Sequence, residues 1–592
     1  MATARSTSPL AADSNREVSM LRFAPSLPAR ALDLCRIVPE WLLVAVAASV
    51  ALLPQFTRTG PEMDEGLVLS YAERLLGGAI PYRDFPYYGP ANLWSVAGAF
   101  AIFGVRLDVE RAVGLFYIVA TIVGIYLLVR RASVRAAVGS VVLTVALAMA
   151  IGVWAYPTRP AIAFLVWSIL LATSREHATS RRDRLLFALA GFLAGWSLLT
   201  RFDFVLVVIP AAIVLVWRMD RTARRWYLVS LAAALPLYLP YVVLSGREGL
   251  YRGMREVAAS GAKRRLPLPS PIVLPHGALL YGSALALFVI GAAAVLLWRR
   301  SAHAVALGAV AAAAAGAVPL TLSRADETHI TAIALLIYGV LPLAAVEIAA
   351  HLRSTSPSSR LLRSATALSV VWGAAALVAV GLLADTASAL RGSVYRGAPV
   401  RSEGRTFILA NEKDAAQAQA VLSAVDRLAH RGQTIFVGPT DLRRAEYGPT
   451  YMYYLLPQLR AASYYTVINP GVVNAPNSTL AHDLLGADWL ILVSKWDKIR
   501  EPYAGPLGPT APNEVVRTTF CLRLRAGAYR LYEARRLVSR GDVCATVSVP
   551  SDRRMRMRSV ASRLPLGLRA SSTGMFPVSA PASSRRRLWA QN

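Results

Sequence analysis

Long, uncharged apolar blocks recur along this chain, and they restrict its fold more than any other feature. Most are about 15 to 22 residues long, and helices of about that length cross a bilayer. Soluble domains do not repeat such blocks. The blocks lie at residues 41–57, 110–129, 136–154, 160–173, 185–200, 203–217, 226–245, 277–298, 303–322, 329–350 and 362–383, with a shorter one at 91–105. The sequence therefore predicts a polytopic α-helical membrane protein with about eleven spans.

The net charge of +29 comes almost entirely from arginine. The arginines fall in short loops between apolar blocks and in the two tails, not in a basic stripe interleaved with aromatics, so nucleic-acid binding is not expected. The richest basic loops are residues 130–135, 175–184, 218–225, 299–300 and 353–363. The positive-inside rule places these loops on the cytoplasmic side of the membrane, which we expect to be the cell membrane (inner or plasma).

This topology decides how the short block at 91–105 is interpreted. With the N-terminus inside, the loop 58–90 is outside, and an odd number of crossings must precede Arg130. Residues 91–105 are therefore expected to form an interfacial or re-entrant helix. A full span there would expose all the basic loops. The loop 246–276 is also basic, but it is assigned to the outside, because the five shorter basic loops together favour that orientation of the chain.

The chain divides by composition into four parts. Residues 1–37 form a polar, basic cytoplasmic tail, and 38–384 form the membrane domain. Residues 400–550 alternate strand-like and helical segments, which is typical of a small extracytoplasmic α/β domain with a partly parallel sheet. Residues 551–592 are rich in Arg, Ser and Pro and are expected to be disordered. Cys521 and Cys544 share one compartment in this scheme, either as a disulfide or as two unrelated thiols.

An acidic cluster, Glu62-Met63-Asp64-Glu65, follows the first span at a membrane face. Clustered carboxylates are costly beside hydrocarbon, which favours a functional role over chance, although a solvated acidic loop is the alternative. The topology places other polar residues on the same outer face: Tyr82, Arg83, Asp84, Arg159, Arg201, Arg324, Asp326 and His329. Span interiors are nearly free of ionisable groups, unlike those of ion-coupled transporters.

A reaction at the outer boundary fits a lipid-phosphate sugar, whose chain lies in the bilayer and whose phosphate lies at the headgroups. Asp64 is the candidate base for the acceptor hydroxyl, with Glu65 as a second acid. The candidates for the donor phosphate are Arg83, Arg201, Arg324 and His329. The candidates for the sugar or acceptor are Glu62, Tyr82, Asp84, Arg159 and Asp326.

Structural alternatives exist for most of these residues. Asp84 would pair with Arg83, and Arg159 and Arg201 would be snorkelling residues at span ends. Asp326 would be an ordinary loop acid and His329 a helix-capping residue. Tyr82 would belong to an aromatic belt at the interface.

The order of motifs resembles the GT-C superfamily of membrane glycosyltransferases, in particular the protein O-mannosyltransferase, aminoarabinose transferase and lipopolysaccharide-core transferase groups. The matching residues are Asp64-Glu65, Gly77, Pro81-Tyr82-Arg83-Asp84, Gly89-Pro90 and Arg324-x-Asp326-x-x-His329. The resemblance covers about 60–380. It implies a polyprenyl-phosphate sugar donor, an inverting single displacement and Asp64 as the base, although Glu62 could compete for that role. The acceptor, whether glycan, lipid or protein, stays open.

Two other classes remain: a flippase or transporter of lipid-linked saccharides, and a non-catalytic envelope-assembly protein. No cofactor is indicated with certainty. The outer acids could bind a divalent cation, but the spacing defines no ligand set.

Cysteines introduced at positions 60 and 326 should both react with a membrane-impermeant thiol reagent added from outside the cell, because both loops are assigned to the outer face. Reaction of both only after the membrane is permeabilised would overturn the topology.

Overall fold

The computed structural model describes residues 39–549 except 176, 271–275, 300, 302, 356–396, 445–446, 468, 539–543 and 545–546. The predicted span 362–383 and the predicted tails 1–37 and 551–592 therefore lie outside the described residues.

Helices dominate the first part of the chain. They are α1 (Glu40–Leu52), α2 (Asp64–Leu76), α3 (Pro90–Phe103), α4 (Leu107–Arg130), α5 (Val134–Ile151), α6 (Thr158–Ala172), α7 (Arg181–Thr200), α8 (Val205–Arg218), α9 (Arg221–Ala234), α10 (Leu239–Lys263, interrupted at Gly246), α11 (His276–Leu297), α12 (Ala304–Ser323) and α13 (Glu327–Thr355). Among the described residues, eight helical segments are long and apolar enough to cross a membrane. The polytopic architecture is confirmed, while the number of eleven spans stays a prediction.

Basic loops within the described residues contact one another at one end of the helix bundle. Arg131 donates to the carbonyl of Leu170 at 2.9 Å, the Ala178 N–H donates to Asp220 at 3.3 Å, and Arg218 lies 5.9 Å from the centre of the Trp298 ring. Glu40 at the start of α1 pairs with Arg130 at the end of α4, 2.5 Å apart. His303, just before α12, lies 2.7 Å from Glu347 near the end of α13. Because successive long helices alternate in direction, their other ends meet at the opposite side of the bundle. That side carries α2 and the C-terminal domain.

Helix α3 starts and finishes on this second side. Gly89, just before it, packs against the carbonyl of Thr200 at the end of α7. Leu107, just after it, is buried in the same apolar cluster as Phe407 of the C-terminal domain. Its 14 residues reach about 21 Å, short of the roughly 30 Å hydrocarbon layer. This geometry agrees with the prediction that 91–105 is an interfacial or re-entrant helix.

The C-terminal domain is an α/β unit, as predicted. Its strands are β1 (Ala398–Ser402), β2 (Arg405–Leu409), β3 (Thr434–Pro439), β4 (Arg460–Ala461), β5 (Trp489–Val493), β6 (Phe520–Ala526), β7 (Tyr529–Ala534) and β8 (Val547–Val549), and its helices are α14 (Glu412–Leu428), α15 (Tyr451–Leu455), α16 (Leu480–Leu485) and α17 (Ala511–Thr519). The main sheet has the order β4-β3-β5-β7-β6-β8, and β1 and β2 form a separate hairpin.

The sheet mixes parallel and antiparallel pairs. Strand β3 runs parallel to β5 and to β4, whereas β7 is antiparallel to both β5 and β6. A disulfide joins Cys521 in β6 to Cys544, which settles the pairing that the sequence left open. Helix α17 has Pro512 in its first turn and leads directly into β6, which begins at Phe520.

Helix α2 packs into the core of the C-terminal domain. Leu67 and Tyr71 are buried in one cluster with residues of α15 and β7. A Cβ on Gly66 would lie 2.3 Å from the backbone nitrogen of Tyr451, so only glycine permits this approach. The Thr450 hydroxyl donates a hydrogen bond to the carbonyl of Met63. The loop after the first span is therefore anchored to the distant end of the chain.

Gly66→Ala should lower the midpoint of thermal unfolding in detergent, because overpacking costs about 1–3 kcal/mol. Gly98→Ala is the matched control, since Gly98 also lies in a helix but has open space where a Cβ would lie. That change should be neutral or stabilising through helix propensity. Equal shifts for the two variants would contradict the close contact between α2 and α15.

Candidate functional site

A cavity of about 670 Å³ lies between the helix ends and the C-terminal domain. The membrane part contributes side chains from the segments after α1, α7, α10 and α12, and the C-terminal domain contributes from its loops. The lining residues are Gly60, Pro61, Glu62, Met63, Asp64, Tyr88, Tyr156, Arg201, Phe202, Asp203, Arg264, Leu320, Ser323, Arg324, Asp326, His329, Tyr447, Asn469 and Trp496. The structure thus brings together six of the predicted residues: Glu62, Asp64, Arg201, Arg324, Asp326 and His329.

Asp64 is the first residue of α2 and is half-buried in the cavity wall. Burial raises the pKa of the Asp64 carboxyl, while the positive charges of Arg264, His329 and Arg324 oppose that increase. A carboxyl with a raised pKa is a stronger base once it is ionised. Asp64 therefore has the chemical properties that proton abstraction requires.

Arg201 carries a hydrogen-bond donor that has no partner. Its Nε and Nη2 donate to the two carboxylate oxygens of Asp203, each at 2.7 Å. Its guanidinium lies 4.7 Å from the centre of the Tyr88 ring. The remaining nitrogen, Nη1, is buried and has no hydrogen-bond partner among the residues that the structure describes. Because an unpaired buried guanidinium nitrogen is costly, this atom is suited to an anionic ligand in the cavity.

Asp326 and His329 form a pair at the start of α13. Nδ1 of His329 lies 2.7 Å from Oδ1 of Asp326, which also accepts from the His329 backbone N–H at 3.0 Å. Burial acts to raise the pKa of Asp326, but His329 and Arg324 outweigh it, and the pKa is lowered. The ionised carboxylate fixes the imidazole ring and leaves Nε2 as its second nitrogen.

Arg324 connects the membrane part to the C-terminal domain. Its Nη1 donates to Glu501 at 2.7 Å and to the carbonyl of Arg264 at 3.0 Å, and its Nη2 donates to the Tyr447 hydroxyl at 3.2 Å. Its Nε donates to Asp326 at 2.6 Å. Every nitrogen of this guanidinium has a partner, so Arg324 links the two parts of the chain at the cavity and contributes positive charge.

Glu62 lies in a different electrostatic setting from Asp64. Its Oε1 is 2.5 Å from Nζ of Lys495, which also contacts Asp414 at 2.8 Å. Burial raises the pKa of Glu62, and the Lys495 charge opposes this. The second oxygen, Oε2, is buried without a hydrogen-bond partner. Glu62 thus offers one free acceptor atom in the cavity wall.

Glu65 does not line the cavity, although the sequence placed it beside the base. It is fully buried and binds Arg111 through two hydrogen bonds of 2.7 and 2.9 Å. Arg111 also donates to the carbonyls of Phe56 and Arg58. The geometry makes Glu65 a structural link between α2, α4 and the end of the first span.

The structure places the other predicted residues elsewhere. Arg83 and Asp84 form a partly exposed pair, 2.9 Å apart. Tyr82 is fully buried with a φ of 69°, and Arg159 donates to the carbonyl of Ile151 at 3.1 Å. None of these four lines the cavity. The alternative of a local ion pair agrees with the contacts of Arg83 and Asp84. Arg159 is buried against backbone carbonyls and does not extend into water as a snorkelling residue would.

Several lining residues were missed by the sequence reasoning, among them Asp203, Tyr447, Asn469 and Trp496. Tyr447 and Trp496 follow the parallel neighbours β3 and β5, whose carboxyl ends meet at one sheet edge. A known strand order would therefore have predicted that the loops carrying Tyr447 and Trp496 lie side by side. Within the described part of the chain, no group of three or more His, Cys, Asp or Glu is arranged to bind a metal.

Part of the chain is similar to a known protein family. Residues 86–244 match the family model described as dolichyl-phosphate-mannose-protein mannosyltransferase. Curated protein sequences yield no match to the chain. The family match covers about a quarter of the chain and agrees, over that part, with the resemblance to protein O-mannosyltransferases that the motifs predicted. The apolar helices make the chain a multi-pass membrane protein.

The fold also has similarity to solved structures. ArnT from Cupriavidus metallidurans bound to undecaprenyl phosphate is 13% identical with a TM-score of 0.47, over 83% of this chain and 98% of that chain. The archaeal oligosaccharyltransferase AglB from Archaeoglobus fulgidus, in complex with an inhibitory peptide and a dolichol-phosphate, is 12% identical with a TM-score of 0.48, over 84% and 75%. The arabinofuranosyltransferase AftD from Mycobacteria is 15% identical with a TM-score of 0.42, over 83% and 40%.

Glu65→Gln should destabilise the protein by about 3–5 kcal/mol, because it leaves the Arg111 charge buried without its counter-ion. The double variant Glu65→Leu with Arg111→Met should recover much of this loss. Glu248→Gln, at an exposed position, is the control and should change thermal unfolding little. A folded double variant without transfer activity would instead give Glu65 a chemical role.

Proposed function

We propose that this protein is a glycosyltransferase that moves a sugar from a polyprenyl-phosphate donor to an acceptor hydroxyl. The supporting observation is that one cavity at the helix ends holds the half-buried carboxylate of Asp64 together with Arg201, Arg324 and His329. A base for the acceptor and cations for the leaving phosphate are the two requirements of this reaction.

The cationic residues have distinct roles in this proposal. Nη1 of Arg201 and Nε2 of His329 bind the donor phosphate and stabilise the charge that develops on it. Arg324 acts through its charge, since Glu501, Asp326 and Tyr447 engage its nitrogens. The protein walls of the cavity lower the local dielectric constant, which strengthens all of these interactions.

The proposed reaction is a single displacement with inversion. Asp64 accepts the proton of the acceptor hydroxyl as its oxygen forms a bond to the anomeric carbon. The bond between that carbon and the phosphate oxygen breaks, and the polyprenyl phosphate leaves with its electron pair. Asp326 keeps the His329 ring in position during this step.

We assign the cavity and the C-terminal domain to the extracytoplasmic face of the inner or plasma membrane. The support is that the cavity lies opposite the arginine-rich loops, which the positive-inside rule places in the cytoplasm. The acceptor therefore reaches Asp64 from outside, and the donor lipid reaches the phosphate site from the bilayer.

Asp64→Asn should reduce transfer by about 10²–10⁴-fold with unchanged thermal unfolding, because the amide cannot accept the proton. The donor is first identified as the lipid-linked sugar that accumulates in cells lacking the protein. Transfer from that labelled donor is then measured in membranes. Asp84→Asn, outside the cavity, is the matched control and should keep nearly full activity. Wild-type transfer by Asp64→Asn would exclude Asp64 as the base and leave Glu62 for that role, whereas absence of transfer by the wild-type protein would favour the flippase or assembly classes.

The acid limb of the pH profile should lie above the ordinary Asp pKa of 3.8, because burial raises the pKa of Asp64. Activity is lost as the pH falls through that raised value and the base becomes protonated. The profile of kcat/KM against pH measures this. An acid limb at or below 3.8 would indicate that another group is the base.

A further inference from the structure

We propose that the acceptor is a carbohydrate, bound against the wall of the cavity formed by Tyr447, Trp496 and Glu62. This inference rests on the proposed transfer reaction and adds the acceptor class, which the reaction itself leaves open. The three side chains combine apolar ring surface with a hydrogen-bond acceptor, the two features that recognise a sugar ring.

Two aromatic rings line the part of the cavity that the C-terminal domain provides. The rings of Tyr447 and Trp496 are nearly parallel, with a 26° interplanar angle and centroids 6.4 Å apart. The Tyr447 hydroxyl donates to Glu501 at 2.9 Å, which holds the ring in place. Electron-rich ring surface attracts the weakly positive C–H groups of a pyranose or furanose. A lipid chain would bind such rings through apolar contact alone, so a polar atom beside them favours a sugar over a lipid.

Glu62 supplies the polar partner. Its Oε2 is buried and unpartnered, while Oε1 is held by Lys495, the residue directly before Trp496. A sugar hydroxyl that donates to Oε2 would satisfy this atom. Because Lys495 belongs to the same loop as Trp496, one short segment orients both the ring and the carboxylate.

The charge distribution favours a neutral ligand on this wall. The cations beside the two rings are already paired. Lys495 lies 5.4 Å from the centre of the Trp496 ring and binds Glu62 and Asp414. Arg264 lies 5.4 Å from the centre of the Tyr447 ring and binds Asn469 and Glu501. The charged groups around Asp64 are Arg264, Arg324, His329 and Asp326. The carboxylates of Glu62 and Asp64 would repel an anionic acceptor. Lys495 could not offset this repulsion, because it is paired with Glu62 and Asp414.

The position of this wall suits the proposed chemistry. Glu62 and Asp64 are two residues apart, and both line the cavity. A ring held at Glu62 and Trp496 therefore presents a neighbouring hydroxyl to Asp64. The donor phosphate, at Arg201, approaches from the membrane side.

The test is saturation-transfer NMR on the full chain in lipid nanodiscs, with the methyl glycosides of mannose, glucose, galactose and arabinose as probes. A serine- and threonine-containing peptide is the comparison ligand. At least one glycoside should receive saturation at its ring C–H protons. Trp496→Ala should weaken that binding by about three- to tenfold, the usual value of an aromatic contact. Trp496→Phe should restore most of it, and Trp217→Ala, at an exposed position in α8, should leave it unchanged.

The outcomes separate this inference from the proposed function. Binding of no glycoside, binding unaffected by Trp496→Ala, or Trp496-dependent binding of the peptide alone would each overturn the carbohydrate acceptor. In the Asp64→Asn variant, glycoside binding should still depend on Trp496, because the substitution removes the base and not the wall. Glycoside binding by a protein whose transfer does not depend on Asp64 would refute the proposed mechanism and leave this site standing.

Discussion

The cavity depends on one packing contact, the close approach of helix α2 to the backbone of helix α15. Gly66 permits this approach, and the Thr450 hydroxyl secures it by binding a carbonyl at the start of α2. Asp64 begins the same helix, so the contact fixes the carboxylate relative to the C-terminal domain. A helix so short would be marginal alone, and its position comes from the buried face it shares with that domain. The geometry of the site is thus set by tertiary packing.

Features that arise from local physics could be predicted from the sequence. The thickness of the bilayer explains the length of the apolar blocks, and the positive-inside rule explains the location of the arginine-rich loops. Together they predicted which helix ends lie on the same side as Asp64, and so brought Arg201, Arg324 and His329 into one site. The same parity argument predicted that 91–105 does not cross, and the 14 residues of α3 are too short to span the hydrocarbon layer without thinning of the bilayer.

Side-chain direction and long-range pairing could not be predicted in this way. Asp64 and Glu65 are neighbours in sequence, but adjacent residues on a helix point about 100° apart. One therefore faces the cavity and the other faces Arg111, a partner 46 positions away. Tyr447 and Trp496 become neighbours only through the parallel pairing of β3 and β5, and their role needs the order of the strands in the sheet.

The ion pairs between the two parts of the chain restrict how such a protein can diversify. Arg405 binds Glu73 of α2, and Glu501 binds Arg324 of the membrane part. An exchange of the C-terminal domain between relatives would separate these partners and bury charges without counter-ions. A functional chimaera must therefore carry α2 and the segment around Arg324 together with the transplanted domain. The first loop and the end of the chain thus form one structural unit, although more than 300 residues separate Glu73 from Arg405.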